Sequence, residues 1–262
     1  LTRDLFGTLF FGVGTGRTLT LSAPVANGGG AVAKDGAGTL VLNAANTFYG
    51  TLSINEGSVR YAAGGAGDLN GCPVNIWNSG TLDIAGDSDT LGAVAIYSGG
   101  ITNSGSYGTL TLGAVTMGGG PAGSSTYMNS GTGTNKLGGT LTFSSANDPD
   151  TATVAGTLDM NAANASRYFT VNNSYAPSAA VDMEISAKIF GVNTTNFTKN
   201  GGGVLKLSGA NAFDSHLVMP DSSGTIIAAN PQALGTPSGR SMYIGVNNSL
   251  VFDGSGGNIT GP

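Results

Sequence analysis

The chain has 262 residues, 45 of them glycine, with 10% charged residues and a net charge of −5. Ten scattered Lys and Arg cannot neutralise a phosphate backbone, which argues against nucleic-acid binding. No apolar run approaches the roughly 20 residues of a membrane-spanning helix, and the lone Cys72 gives no intrachain disulfide framework.

Taken from the start, Leu5-Phe6-Gly7-Thr8-Leu9-Phe10-Phe11 predicts a first strand pair. Arg17 to Ser22 alternates, with Leu19 and Leu21 inward. A glycine turn, Gly28-Gly29-Gly30, leads to Val32 and then to the stretch that organises the chain. That stretch is Gly36-Ala37-Gly38-Thr39-Leu40-Val41-Leu42, a glycine turn and a strand with Leu40 and Leu42 on one face, followed by the asparagine-rich turn Asn43 to Phe48. It returns as Gly201-Gly202-Gly203-Val204-Leu205-Lys206-Leu207 and Ser208 to Phe213. Each copy follows a lysine, Lys34 or Lys199. Lys206 replaces Val41 between the two leucines, as period-2 geometry allows when the leucines point inward and the residue between them meets water. The predicted structural-repeat positions are Gly36, Gly38, Leu40, Leu42, Gly201, Gly203, Leu205 and Leu207.

The correspondence extends beyond these segments. Leu52-Ser53-Ile54 matches Leu217-Val218-Met219, Gly57-Ser58-Val59 matches Gly224-Thr225-Ile226, and Leu82-Asp83-Ile84 matches Leu250-Val251-Phe252. Insertions fall in turns while apolar positions hold. Between the two units, apolar i, i+2 pairs continue, from Val94/Ile96 to Phe169/Val171. No segment keeps a helical apolar period. Dense short strands without helical crossovers leave a sandwich, a barrel or a β-solenoid, and the repeat favours the solenoid. With roughly 20–25 residues per coil, the chain makes on the order of 11–13 rungs, a rod of roughly 50–60 Å. The fold class is therefore all-β: one elongated β-solenoid over 1–262, with repeat units at about 31–86 and 196–254 and looser rungs between. The chain reads as a piece of a longer polypeptide.

The segments Lys34 to Gly50 and Ile54 to Val59 resemble the autotransporter-associated β-strand repeat of bacterial surface passengers. That repeat joins a lysine, a glycine-bracketed Thr-Leu-x-Leu, an Asn-Thr-Tyr-x-Gly turn and a further strand. At Lys199 to Ile226 the match is degraded, with Val204 in the threonine place. The resemblance implies a right-handed parallel β-helix at the cell surface or outside the cell.

Parallel β-helices also carry polysaccharide lyases and hydrolases, which act through paired carboxylates. Asp182 and Glu184 are expected on one outward strand face, and Asp87 and Asp89 in a turn; Asp83 is the remaining candidate. All read more simply as solvated positions. Asp87-Ser88-Asp89 and Asp148-Pro149-Asp150 carry hard oxygens for calcium but no recognisable calcium motif. His216 is the only histidine and reads as an edge or surface residue. Trp77 and the tyrosines, Tyr97, Tyr107 and Tyr127 among them, look too spread out for a sugar platform. The expectations are thus no catalytic residue, no cofactor and no metal. The leading function is structural: stalk, adhesin shaft or filament subunit, with self-association end to end into fibres and a surface glycan or host receptor as partners. A carbohydrate-active β-helix or a glycan-binding module is the alternative.

Overall fold

A computed structural model describes residues 2–3, 7–62, 68–69, 71–121, 123–144, 151–161, 166–173, 181–191, 196–236 and 241–254. Asp148, Pro149 and Asp150 lie outside these residues. The short runs bounded by glycine and asparagine form 28 strands, and no α-helix occurs among the described residues. The strands stack in two long sheets of 12 and 11 strands and a third of five. Successive members of each sheet come from successive coils, so the chain is a parallel β-solenoid. At ~4.8 Å per strand, the 11-strand stack is about 50 Å long. One ladder among the described strands is antiparallel: Thr2–Arg3 pairs with Leu9–Gly12 at the first sheet's starting edge, so the strand partner lies before the Leu5–Phe11 stretch in which the sequence places a strand pair.

A coil runs from the first sheet through a glycine corner to the second sheet, then along a third side back to the first. Val32–Asp35, the corner at Gly36 and Gly38, and Thr39–Leu42 are one example. In the middle coils the third side is a strand, such as Thr109–Leu112 or Thr134–Leu137. In the two repeat units it is the asparagine turn carrying Phe48 or Phe213, both buried. Inward residues of stacked coils touch in columns. In the first sheet Val32, Leu52, Val74, Val94, Val115, Leu141 and Phe169 are in register. In the second, Leu40, Val59, Leu82, Ile101, Met128, Val154, Ile185 and Leu207 are. These side chains are buried in one continuous core. Because burial is cumulative along the axis, each coil depends on its neighbours for dryness.

Candidate functional site

The repeated glycine corner holds the repeated lysine inside it. Lys34 and Lys199 are each fully buried. Lys34 Nζ donates to the carbonyls of Gly36 at 2.5 Å, Asp35 at 3.1 Å and Glu56 at 3.2 Å. Lys199 Nζ donates to Gly201 O at 2.5 Å, to Gly203 O at 2.7 Å and to Ser223 O. In both cases two acceptors belong to the lysine's own corner and the third to the corner of the next coil. Burial pushes both amines below the ordinary lysine range, Lys199 to about 8; Glu56 and Asp35 oppose the shift at Lys34, and Asp182 at Lys199. The glycines make the corner possible. Gly36 and Gly201 sit at φ +75° and +79°, where L side chains are strained. A Cβ on Gly38 would lie 2.3 Å from Gly14 O.

A second paired device closes the third side. Asn46 and Asn211 are each about 1% exposed. Asn46 Oδ1 accepts the Val25 amide at 3.0 Å. Asn211 Oδ1 accepts the Ile189 amide at 2.8 Å, and its Nδ2 donates to Ala233 O at 2.7 Å. Each asparagine thus ties its coil to a neighbour where no strand ladder runs. Leu40, Leu42, Leu205 and Leu207 all lie in the core.

Among the described residues, the candidate carboxylates Asp83, Asp89, Asp182 and Glu184 are each tied into local hydrogen bonds. Asp182 is fully buried rather than outward beside Glu184. It precedes the strand Met183–Ile185 at a corner, where strict alternation stops, and it accepts the Val204 amide at 2.7 Å. Glu184 is outward, bonded by Ser208 Oγ at 2.6 Å and paired with Lys206 at 3.4 Å. Asp83 accepts the Ala85 and Ser104 amides and the Ser104 hydroxyl and pairs with Arg60 at 3.1 Å. Asp89 accepts the Tyr61 hydroxyl at 2.6 Å and the amides of Leu69 and Thr90. Burial raises the pKa of both Tyr61 and Asp89. Burial also pushes the Cys72 thiol up to about 11, leaving it a poor nucleophile at neutral pH. His216 Nδ1 lies 2.8 Å from Ser241 Oγ. Among the described residues no group of three or more His, Cys, Asp or Glu could hold a metal ion.

The aromatic residues correct another expectation. Trp77 and Tyr97 are not spread out: their rings stack at 3.6 Å between centroids and 9° between planes. They are 20 residues apart in sequence but one coil apart in space, since Trp77 N donates to Ile54 O and Tyr97 N to Ile76 O. Tyr127 turns along the second sheet's outer face, its hydroxyl 3.0 Å from Thr81 Oγ1. On the first sheet's outer side, Gly139, Thr140, Ser166, Arg167 and Tyr168 line a cleft of about 240 Å³. The Arg167 guanidinium is anchored there by main-chain carbonyls: Nε to Met160 O at 2.5 Å, and Nη2 to Asn161 O at 2.6 Å and Leu137 O at 3.2 Å. Sequence inspection did not single out Arg167. Its only signal is a basic residue next to an exposed tyrosine in a chain with very few charges.

Comparison with known families finds that residues 32–60 and 197–216 match the passenger-associated-transport-repeat. These are the two segments that carry the buried lysine and the paired leucines, and the match agrees with the resemblance read from the sequence. No curated protein and no solved structure gives a significant match.

Proposed function

Starting from two passenger-associated-transport-repeats set in one β-solenoid, we propose that the chain is the shaft of a bacterial surface passenger: an extracellular, non-catalytic spacer of the stalk or adhesin-shaft type. The observation that carries this reading is the corner lock. A buried lysine bonded to three carbonyls from two coils resists bending and shear between those coils without contributing any group to a surface. The core columns run through the described coils without a break, which suits a part whose work is to hold a length. The candidate carboxylates are engaged in corners and cross-strand pairs, an arrangement that does not favour glycan cleavage.

Small-angle scattering and negative-stain microscopy of residues 1–262 test the shaft. A rigid rod about 50 Å long is the expected particle, and a compact sphere of the same mass would refute it. End-to-end association is a second reading. It is favoured by the strand Thr18–Leu21, which pairs on one side with Thr39–Leu42 and begins the second sheet. Light scattering over a concentration series checks it: mass growing with concentration is expected, and a constant monomer mass removes it.

A further inference from the structure

The cleft beside Arg167 differs from the rest of the outer surface. The outward positions of the first sheet carry Ser53, Asn75, Ala95, Thr116 and Thr142, one per coil in register. That succession is uncharged. The cleft then brings together a guanidinium, two hydroxyls and a phenol ring. Arg167 is fixed before any ligand arrives, because three carbonyls hold Nε and Nη2. A guanidinium has five N–H donors. Those three bonds leave the two on Nη1, and no described group accepts them. Asp159 is the charge that most favours protonated Arg167. It forms no ion pair with Arg167 among the described residues, and its Oδ1 accepts the Asn161 amide at 2.7 Å. The positive charge is therefore held in place and under-compensated.

The other walls define what accompanies an anion. Tyr168 is 46% exposed and presents a flat, amphipathic ring. Thr140 and Ser166 add two hydroxyls. The volume of about 240 Å³ is below the ~300–1,000 Å³ of sites for drug-sized ligands, so it fits one small ring. The two Nη1 protons diverge, so one meets a carboxylate oxygen and the other stays available to a neighbouring ring hydroxyl. One guanidinium balances the single charge of a carboxylate and leaves a phosphate monoester, at about −1.5 to −2, only partly compensated.

We propose that the cleft formed by Gly139, Thr140, Ser166, Arg167 and Tyr168 binds a carboxylate-bearing pyranose, a uronic-acid unit of an acidic polysaccharide. Arg167 takes the carboxylate, Tyr168 stacks on the ring, and Thr140 and Ser166 bond its hydroxyls. No bond is made or broken; the site gives a shaft a lateral hold on an acidic glycan. The proposal does not depend on the shaft being rigid, and it stands or falls separately from the particle shape.

The test is binding of methyl β-glucuronide and methyl β-glucoside to residues 1–262, read by saturation-transfer NMR and calorimetric titration. The glucuronide is expected to bind at least about tenfold more tightly, the equivalent of about 1.4 kcal/mol. Tyr168→Ser is expected to weaken the glucuronide at least fivefold while circular dichroism and the thermal midpoint stay unchanged, because this ring is on the surface. Arg167→Lys is expected to remove the preference for the acid; since Arg167 also anchors three carbonyls, the Tyr168 variant keeps the question answerable if this one folds poorly. Tyr243→Ser, at an exposed ring in a later coil, is expected to change nothing. Absence of glucuronide binding, equal affinity for the two sugars, or full affinity in Tyr168→Ser would each overturn the assignment.

Discussion

Replacing Lys199 with Met removes the ammonium of the second corner and little else, since Met is a long, flexible, apolar side chain of similar volume. Three carbonyls then lose a donor. Gly203 O keeps the Thr225 amide at 3.2 Å. Gly201 O and Ser223 O have Lys199 as their partner. Ser223 O is buried and Gly201 O part-buried, and a buried carbonyl left unpaired costs about 1–3 kcal/mol, a part-buried one less. Removing a buried charge returns part of its desolvation penalty, so a net loss of about 3 kcal/mol is expected. Solenoids unfold by regions rather than all at once, which makes a local assay the right one. Amide exchange at Gly203, Val204 and Thr225 should speed up by about a hundredfold in the Met variant, while amides of the coils at Val94 and Val115 should not change. Exchange that stays the same or slows down would show that the bonds Lys199 makes at the corner do not outweigh the cost of burying it, and the corner-lock reading would fail with it.

The remaining predictions concern the same devices. Lys199 has a folded pKa of about 8 against an ordinary 10.5, so between these values the unfolded chain holds a proton that the folded chain has released. Stability should therefore rise with pH through that window, at up to about 1.4 kcal/mol per pH unit, and be flat below about 8, where the amine is protonated in both states. Denaturant titrations at pH 7.5 and 9.5 should show the gain in the parent, and an equal gain in Lys199→Met would assign it to other groups. Asn211→Ala removes bonds to the Ile189 amide and to Ala233 O and should lower stability by about 2–4 kcal/mol in urea unfolding. Gly38→Ala places a methyl group 2.3 Å from Gly14 O and 2.6 Å from Arg17 O. It should lower the thermal midpoint sharply, whereas Gly14→Ala, with nothing within 4 Å, should leave it within a degree or two.

The all-strand solenoid was legible because Leu-x-Leu pairs recur between glycine turns, and a pair that recurs while its turns vary in length points to stacking. The polar half of the design was not. Lys34 and Lys199 stood out by position, but a lysine beside a turn reads as solvated, and only the corner's converging carbonyls make it an interior residue. Asp182 misled for the converse reason: alternation with Glu184 extended one residue past the strand, where Asp182 and Met183 are both buried. Trp77 and Tyr97 meet because their coil is 20 residues long, yet the step from Phe169 to Lys199 takes 30. With coil length that variable, no fixed spacing reveals which outward residues are neighbours. The Arg167 cleft is hidden for the same reason, since Gly139 and Thr140 come from a different coil than Ser166, Arg167 and Tyr168.

The register explains why the repeat survives such variation. By sequence, Lys199 corresponds to Lys34 and Leu205 to Leu40. By ladder, Lys199 continues the column that contains Val32, through Phe169, and Leu207 rather than Leu205 continues the column of Leu40. Over the intervening coils both sheets have slid by two residues in the same sense. A slide of one residue would turn every inward side chain outward, while a slide of two preserves the faces. The core can therefore tolerate the slide, since any aliphatic side chain continues a column. The lysine is different. Its partners are the carbonyls of its own corner and of the next coil's corner, so it moves with the turn and not with the column. The repeated unit is thus the corner: a lysine, the glycines that bare its carbonyls, and the leucines that follow. This unit can be set anywhere along the stack in steps of two residues, which is why residues 32–60 and 197–216 remain recognisable as the same repeat after coils of unequal length between them.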